Sequence, residues 1–355
     1  MTRPQQNPSQ QNPSQQNPSQ QNPAQQEPGG LSANPLDLSR REVMSGLAAF
    51  IAFQGLTSES AVGAEVLGRP RKPNDERLGP LRDLNSYFPF SPPETADEWK
   101  ARAQHVREQI LVSCGLWPMP PRPEIEATVH GDVVRDGFTV QRVYFESAPG
   151  LYVTGSLFKP DGDGPFPVIL SPHGHWPNGR FYDAGAEKVK QEIAAGAEKF
   201  TEGGRYPLQA RCVQLARMGC MVFHYDMIGY ADSAPLTYEV AHRFAKQRPD
   251  LAAPHRFGMF SAQSELRLIN VMGLQTWNSI RTVDWLSQRA DVDKERIGVT
   301  GASGGGTQTF MLAAVDDRPA AAFPAVMVST AMQGGCTCEN ASYFRTRTGN
   351  IEIAA

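Results

Sequence analysis

The chain has 355 residues, with 34 Lys and Arg against 37 Asp and Glu, a formal net charge of −3 and a pI near 6.2. That balance excludes the dense positive field of a dedicated nucleic-acid binder or a polybasic membrane adhesin. A 40% share of hydrophobic and 20% of charged residues fits a globular chain, and five cysteines are too few for a disulfide-built scaffold.

Residues 1–38 open with a unit Q-Q-N-P-S that recurs between Gln5 and Pro28. Regular prolines break both helix and sheet ladders, and the polar remainder has nothing to bury, so this stretch is expected to be a disordered tail. Residues 39–64 follow the order of an export signal: Arg40-Arg41, an apolar run from Val43 to Phe53, and the small residues Val62-Gly63-Ala64. The paired arginines suggest twin-arginine export of a folded protein to the periplasm or medium, with Glu65 starting the mature chain. The apolar run is far shorter than the ~20 residues of a permanent membrane span, and none is expected. An amphipathic helix with a chance Arg pair is the other reading. Residues 65–95 read as a linker, and 96–355 as the folded domain.

Within that domain, Trp99, Ala103, Val106 and Ile110 recur at helical spacing, predicting a helix over Ala96–Leu116 that Pro118 stops. Ile125 to Lys159 changes to alternating β-type runs around the turn at Pro149-Gly150, an antiparallel lead-in. Thereafter short apolar strands at 167–171, 221–225, 297–300 and 325–328 alternate with helices at 208–218, 271–288 and 304–315. This order predicts an α/β fold, a mostly parallel sheet covered by helices on both faces. Two inserts, 177–204 and 231–270, interrupt the alternation at strand ends, where such excursions either shape a pocket or simply cross the surface.

The segment R-I-G-V-T-G-A-S-G-G-G-T-Q carries the chemistry. Its G-x-S-x-G core, Gly301 to Gly305, falls between a predicted strand and a predicted helix, the context of a nucleophile elbow. The turn there must be so sharp that only glycine fits on both sides of Ser303. It would raise the hydroxyl above the strand ends and aim the Gly304 amide at a developing oxyanion. A phosphate-binding turn is the competing reading, but no Lys follows as a phosphate loop requires. S-P-H-G-H-W, ending the earlier strand, would supply the second oxyanion donor from the backbone amide of His175 or Trp176, with His173 fixing the loop. Asp226, after the 221–225 strand, is read as a turn residue rather than a catalytic acid. Trp176, Tyr206 and Tyr230 are candidate sugar contacts or packing groups. Cys336 and Cys338 are too close in sequence for an easy disulfide.

From the helix ending G-L-W-P through F-E-S-A-P-G-L-Y-V-T-G-S-L, the H-G-H-W loop, the elbow and G-G-C-T-C-E-N, the chain resembles the α/β-hydrolase superfamily. Within it, the chain is similar to the bacterial acetyl xylan esterase and dienelactone hydrolase-like group. The resemblance implies a serine ester hydrolase that deacetylates a carbohydrate through an acyl-enzyme on Ser303. It implies an acetylated carbohydrate as partner and no metal, cofactor or nucleic acid. This architecture orders its triad Ser, acid, His, yet all seven histidines (105, 130, 173, 175, 224, 242 and 255) precede Ser303. The resemblance places an acid and a histidine on two further strands, so the last strands of the domain are expected to be missing. Of the later carboxylates, Asp316, Asp317, Glu339 and Glu352, only Glu339 is a plausible acid, because some relatives carry it there. Rescue by His173 or His224 would need an imidazole from the wrong side of the sheet. On this reading the isolated chain is poorly soluble and nearly inactive. Two rivals stand beside it: a carbohydrate-binding pseudoenzyme that kept the pocket, and a metal-dependent hydrolase using His173 and His175 with His224 and Asp226.

Overall fold

The computed structural model describes residues 90–242, 262–329, 336–339 and 349–355, all within the compact unit Pro80–Ala355. The tail, the export segment and the linker up to residue 89 lie outside the described residues. The first helix, α1 (Ala96–Ser113), begins in a reciprocal cap: Glu98 N donates to Thr95 Oγ1 at 3.2 Å and Thr95 N to Glu98 Oε2 at 3.1 Å. It stops three residues before the expected Leu116. Gly115 turns left-handed (φ 68°) and lets the Leu116 amide close back on Leu111 O, so Pro118 is not needed as the terminator.

Strands β1 (Thr128–Arg135), β2 (Phe138–Ala148) and β3 (Leu151–Pro160) form the antiparallel lead-in. The alternation then runs β4 (Phe166–Leu170), α2 (Ala186–Ala194), α3 (Thr201–Arg205), α4 (Pro207–Arg217), β5 (Met221–Tyr225) and α5 (Tyr238–Ala241). It continues with α6 (Ala262–Leu266), α7 (Val271–Gln288), β6 (Val292–Ala302), α8 (Gly304–Val315), β7 (Ala321–Ala325) and α9 (Asn350–Ala354). The strands make one seven-stranded sheet in the order β1-β2-β3-β5-β4-β6-β7. β5, β4, β6 and β7 are parallel neighbours, with Leu170 beside Phe223 on one side and Val299 on the other.

Both faces are covered, as expected of strands buried on two sides. Val222 points with Phe138 and Phe158 to Cys212 and Ala216 of α4. Its neighbours Met221 and Phe223 point the other way, into the larger core with Trp277, Ile280 and Val283 of α7 and Phe310 and Met311 of α8.

The last strand departs from expectation. The apolar run Ala325–Val328 suggested it, but the paired residues are Ala321 to Ala325, opposite Gly298 to Ala302. Val326 and Met327 have φ of 72° and 68°, which takes the chain out of the sheet where the sequence looks most strand-like. Among the described residues β7 is the sheet edge, with Phe323 72% exposed. No helix of the described residues is long and apolar enough to cross a membrane.

Candidate active site

Chain order reverses across the sheet at β4. The chain steps from β4 to β5 on one side and later returns to place β6 on the other, opening a crevice beyond the carboxyl ends of β4 and β6. Ser303 sits there, between β6 and α8, with φ 55° and ψ −125°, a backbone region that costs a non-glycine residue of the order of 1–3 kcal/mol. The surrounding glycines are needed because backbones meet. A Cβ on Gly301 or on Gly305 would stand 2.4 Å from Pro172 O, and one on Gly174 would stand 2.7 Å from the Ser303 Cβ. The H-G-H loop is thereby pressed against the elbow.

The Ser303 hydroxyl is half-buried and donates to Glu339 Oε1 at 3.0 Å. The same oxygen accepts from His175 Nδ1 at 2.9 Å. Glu339 lies in a 3-10 turn, Thr337–Glu339, and its side chain is buried. A Cβ on Gly304 would be 3.2 Å from Glu339 Oε1 and 3.5 Å from His175 Cε1, so the first residue of α8 borders the same space. The first amides of a helix have no intrahelical acceptor and carry its positive end. Of the two sequence candidates for the second oxyanion donor, the Trp176 amide is engaged with Gly174 O at 3.0 Å.

The structure brings Ser303, Gly304, His175 and Glu339 together. It does not bring His173 or His224 into the crevice. His173 Nδ1 donates to Gly174 O at 2.8 Å and its Nε2 accepts from the Met227 amide at 3.2 Å, so both nitrogens brace backbone. Burial pushes its pKa down to about 4, and it is a neutral, structural group. His224 is likewise buried and held well below the ordinary imidazole range, its Nδ1 donating to Ser171 O at 2.6 Å. Asp226 is occupied by the Arg180 guanidinium and by Thr154 Oγ1 at 2.7 Å. Arg180, 2% exposed, also reaches Asp232 at 2.5 Å, and burial raises the Asp226 pKa to about 6 against the pull of Arg180. The metal set proposed around His173, His175, His224 and Asp226 is therefore not assembled.

Tyr230 packs edge-on against His173 at 5.3 Å and lies 5.1 Å from the His242 ring, a packing group within the site wall. No disulfide joins Cys336 to Cys338, as the sequence suggested, and both sulfurs point at His242. Burial works against charge on His175, but hydrogen bonds to Cys336 and Glu339 outweigh it and push its pKa up to about 10. The neighbouring Cys338 and the two imidazoles hold the Cys336 thiol far below its ordinary range, whereas burial drives Cys338 up. The gathering of His242 with the two cysteines was missed in the sequence. Its signal was Cys-x-Cys directly before Glu339, which was read only against a disulfide.

Methylesterase BT1017 superimposes over 74% of this chain and 50% of its own, with TM-score 0.53 and 26% identity. The fold is that of the α/β-hydrolases. A Bacillus subtilis (strain 168) protein named "Putative hydrolase YtaP" is 27% identical over 176 residues, which is 49% of this chain and 46% of that protein. An acetyl xylan esterase from Paenibacillus sp. R4 covers 69% of this chain and 64% of its own at 22% identity, with a TM-score of 0.39. No protein-family model matches the chain. The chain spans about half the length of the methylesterase and of the Bacillus protein.

Proposed function

We propose that the chain is a serine carboxylic-ester hydrolase whose substrate is an esterified carbohydrate. The observation that carries this reading is the Ser303 hydroxyl, raised on a left-handed turn and donating to the Glu339 carboxylate at 3.0 Å. In this mechanism Oγ attacks the ester carbonyl carbon as its proton passes to Glu339 Oε1. The amides of Gly304 and His175 receive the charge on the carbonyl oxygen, each donor contributing of the order of 3 kcal/mol. The carbon–oxygen bond to the alcohol breaks, Glu339 returns the proton to the departing alkoxide, and water repeats the sequence on the acyl-serine. His175 Nδ1–H holds the carboxylate in place throughout. Were a histidine from further sequence to take the serine proton, as the resemblance implies, Glu339 would be the acid that orients it.

The acetyl xylan esterase resemblance favours an acetyl group on the carbohydrate, while the likeness to a methylesterase favours a methyl ester. Export through residues 39–64 suits a polymeric sugar substrate, which does not enter a cell intact. Acetylated xylan and a methyl-esterified polysaccharide, assayed for acetate and methanol release, separate the two substrates. Release of either acid or alcohol that disappears in Ser303→Ala supports the reading. Release that persists in Ser303→Ala overturns it.

A further inference from the structure

Beside the proposed catalytic groups lies a second cluster with its own geometry. His175 Nε2, His242 Nδ1, Cys336 Sγ and Cys338 Sγ converge so that all four atoms lie within 4.8 Å of one another. The close pairs are His175 Nε2 to His242 Nδ1 at 3.1 Å, Cys338 Sγ to His175 Nε2 at 3.1 Å, and each sulfur to His242 Nδ1 at 3.4 Å. Zinc bonds of ~2.0–2.1 Å to nitrogen and ~2.3 Å to sulfur give a tetrahedron whose edges are roughly 3.3–3.8 Å, close to this spacing.

The tautomers sharpen the point. His242 Nε2 faces the Ile228 carbonyl at 2.7 Å, and a carbonyl only accepts, so Nε2 carries the proton and Nδ1 is a bare lone pair. His175 Nδ1 faces the Glu339 carboxylate and donates to it, so in the neutral ring, the form that binds a metal, Nε2 is the lone pair. Two nitrogens 3.1 Å apart need a proton or a metal ion between them, and the two sulfurs beside them make a metal ion the better fit. An outer carbonyl and an outer carboxylate on the far nitrogens are the partners that metal-bound imidazoles characteristically have.

We propose that this chain binds one zinc ion through His175 Nε2, His242 Nδ1, Cys336 Sγ and Cys338 Sγ. With four protein ligands the site is closed, and its role is structural. The ion ties together the loops that follow β4, β5 and β7. It anchors the Cys336–Glu339 turn and turns His175 so that Nδ1 meets Glu339, placing that carboxylate against Ser303. Such a pin suits a site whose acid sits on a short turn that follows an edge strand. The proposed set departs from the sequence expectation of no metal, and it shares only His175 with the rival pair His173 and His175, its other ligands coming from two other loops.

The zinc claim is independent of ester hydrolysis, because metal content is read whatever Ser303 does. The test is elemental analysis of the full chain purified from zinc-supplemented culture, with thiol counting on the same sample. About one zinc per chain, with two more cysteines reacting with a disulfide reagent after a chelator is added than before, is the expected result; Cys114 and Cys212 are buried in either case. Cys336→Ser with Cys338→Ser should abolish binding. Should that variant fail to fold, cobalt loading of the unaltered chain decides, with intense four-coordinate visible bands and thiolate-to-cobalt charge transfer expected. Metal-free protein from zinc-replete culture, cobalt without the charge-transfer band, or zinc content unaffected by the double substitution overturns the proposal.

Discussion

Replacing Glu339 by Gln preserves side-chain volume and removes only the charge that faces Ser303 and His175. The carboxylate oxygen takes two hydrogen bonds, at 3.0 Å from Ser303 and 2.9 Å from His175. In the resting protein each loses its charge-assisted character, a change of roughly 1 kcal/mol per bond. In the reaction the loss is larger, because the serine proton then has no base to go to or no acid orienting that base. General-base catalysis is worth about 10²–10⁴, or ~2.7–5.5 kcal/mol of barrier. The expected result with p-nitrophenyl acetate is therefore a fall in kcat of at least about a hundredfold. Urea unfolding should show only a modest loss of stability. An unchanged kcat in a folded Glu339→Gln protein would refute the assignment of Glu339 to the proton path.

Four further outcomes follow from the packing and electrostatics. Gly305→Ala drives a Cβ to within 2.4 Å of Pro172 O, costing about 1–3 kcal/mol of stability. It should lower kcat by about 10²-fold, since the elbow shifts against the oxyanion loop. Gly203→Ala, whose nearest neighbour is the flexible end of Glu198, should leave turnover unchanged in the same assay. Arg180→Met leaves Asp226 buried without its partner and should destabilise by about 3–5 kcal/mol; adding Asp226→Leu should recover most of that in chemical denaturation, and no recovery would discount the pair. His224 is neutral in the fold and held below its ordinary value of 6.5 by burial. Its contribution is complete above pH 6.5 and is lost as the pH falls, because the unfolded chain then binds the proton first. The slope approaches ~1.4 kcal/mol per pH unit. Comparing urea midpoints at pH 7 and pH 5 should show a weaker acid loss in His224→Gln than in the unaltered chain.

Much of this architecture was legible because its determinants are local. A strand buried on both faces must be apolar throughout, so β4 and β5 stood out within a residue of their observed bounds. The elbow was legible for a steric reason: Gly301 and Gly305 touch the Pro172 carbonyl and admit no larger residue. The end of β7 misled because Val326 and Met327 are apolar yet leave the sheet on positive φ angles that no propensity encodes. The His175, His242, Cys336 and Cys338 cluster was hidden for another reason. Its members come from three loops brought together only by the strand order, so the chain shows the Cys-x-Cys pair but no spacing that links it to His175 or His242. The Arg180 to Asp226 pair is equally non-local, which is why Asp226 could be read as a turn residue but not as half of a buried ion pair.

The central claim is that the Ser303 hydroxyl is the reacting nucleophile. Treating the chain with a fluorophosphonate, followed by intact-mass measurement and peptide mapping, tests it most directly. One covalent phosphonyl group on Ser303, absent from Ser303→Ala, is the predicted result. A chain that stays unmodified, or that carries the label elsewhere and keeps it in Ser303→Ala, would contradict the account.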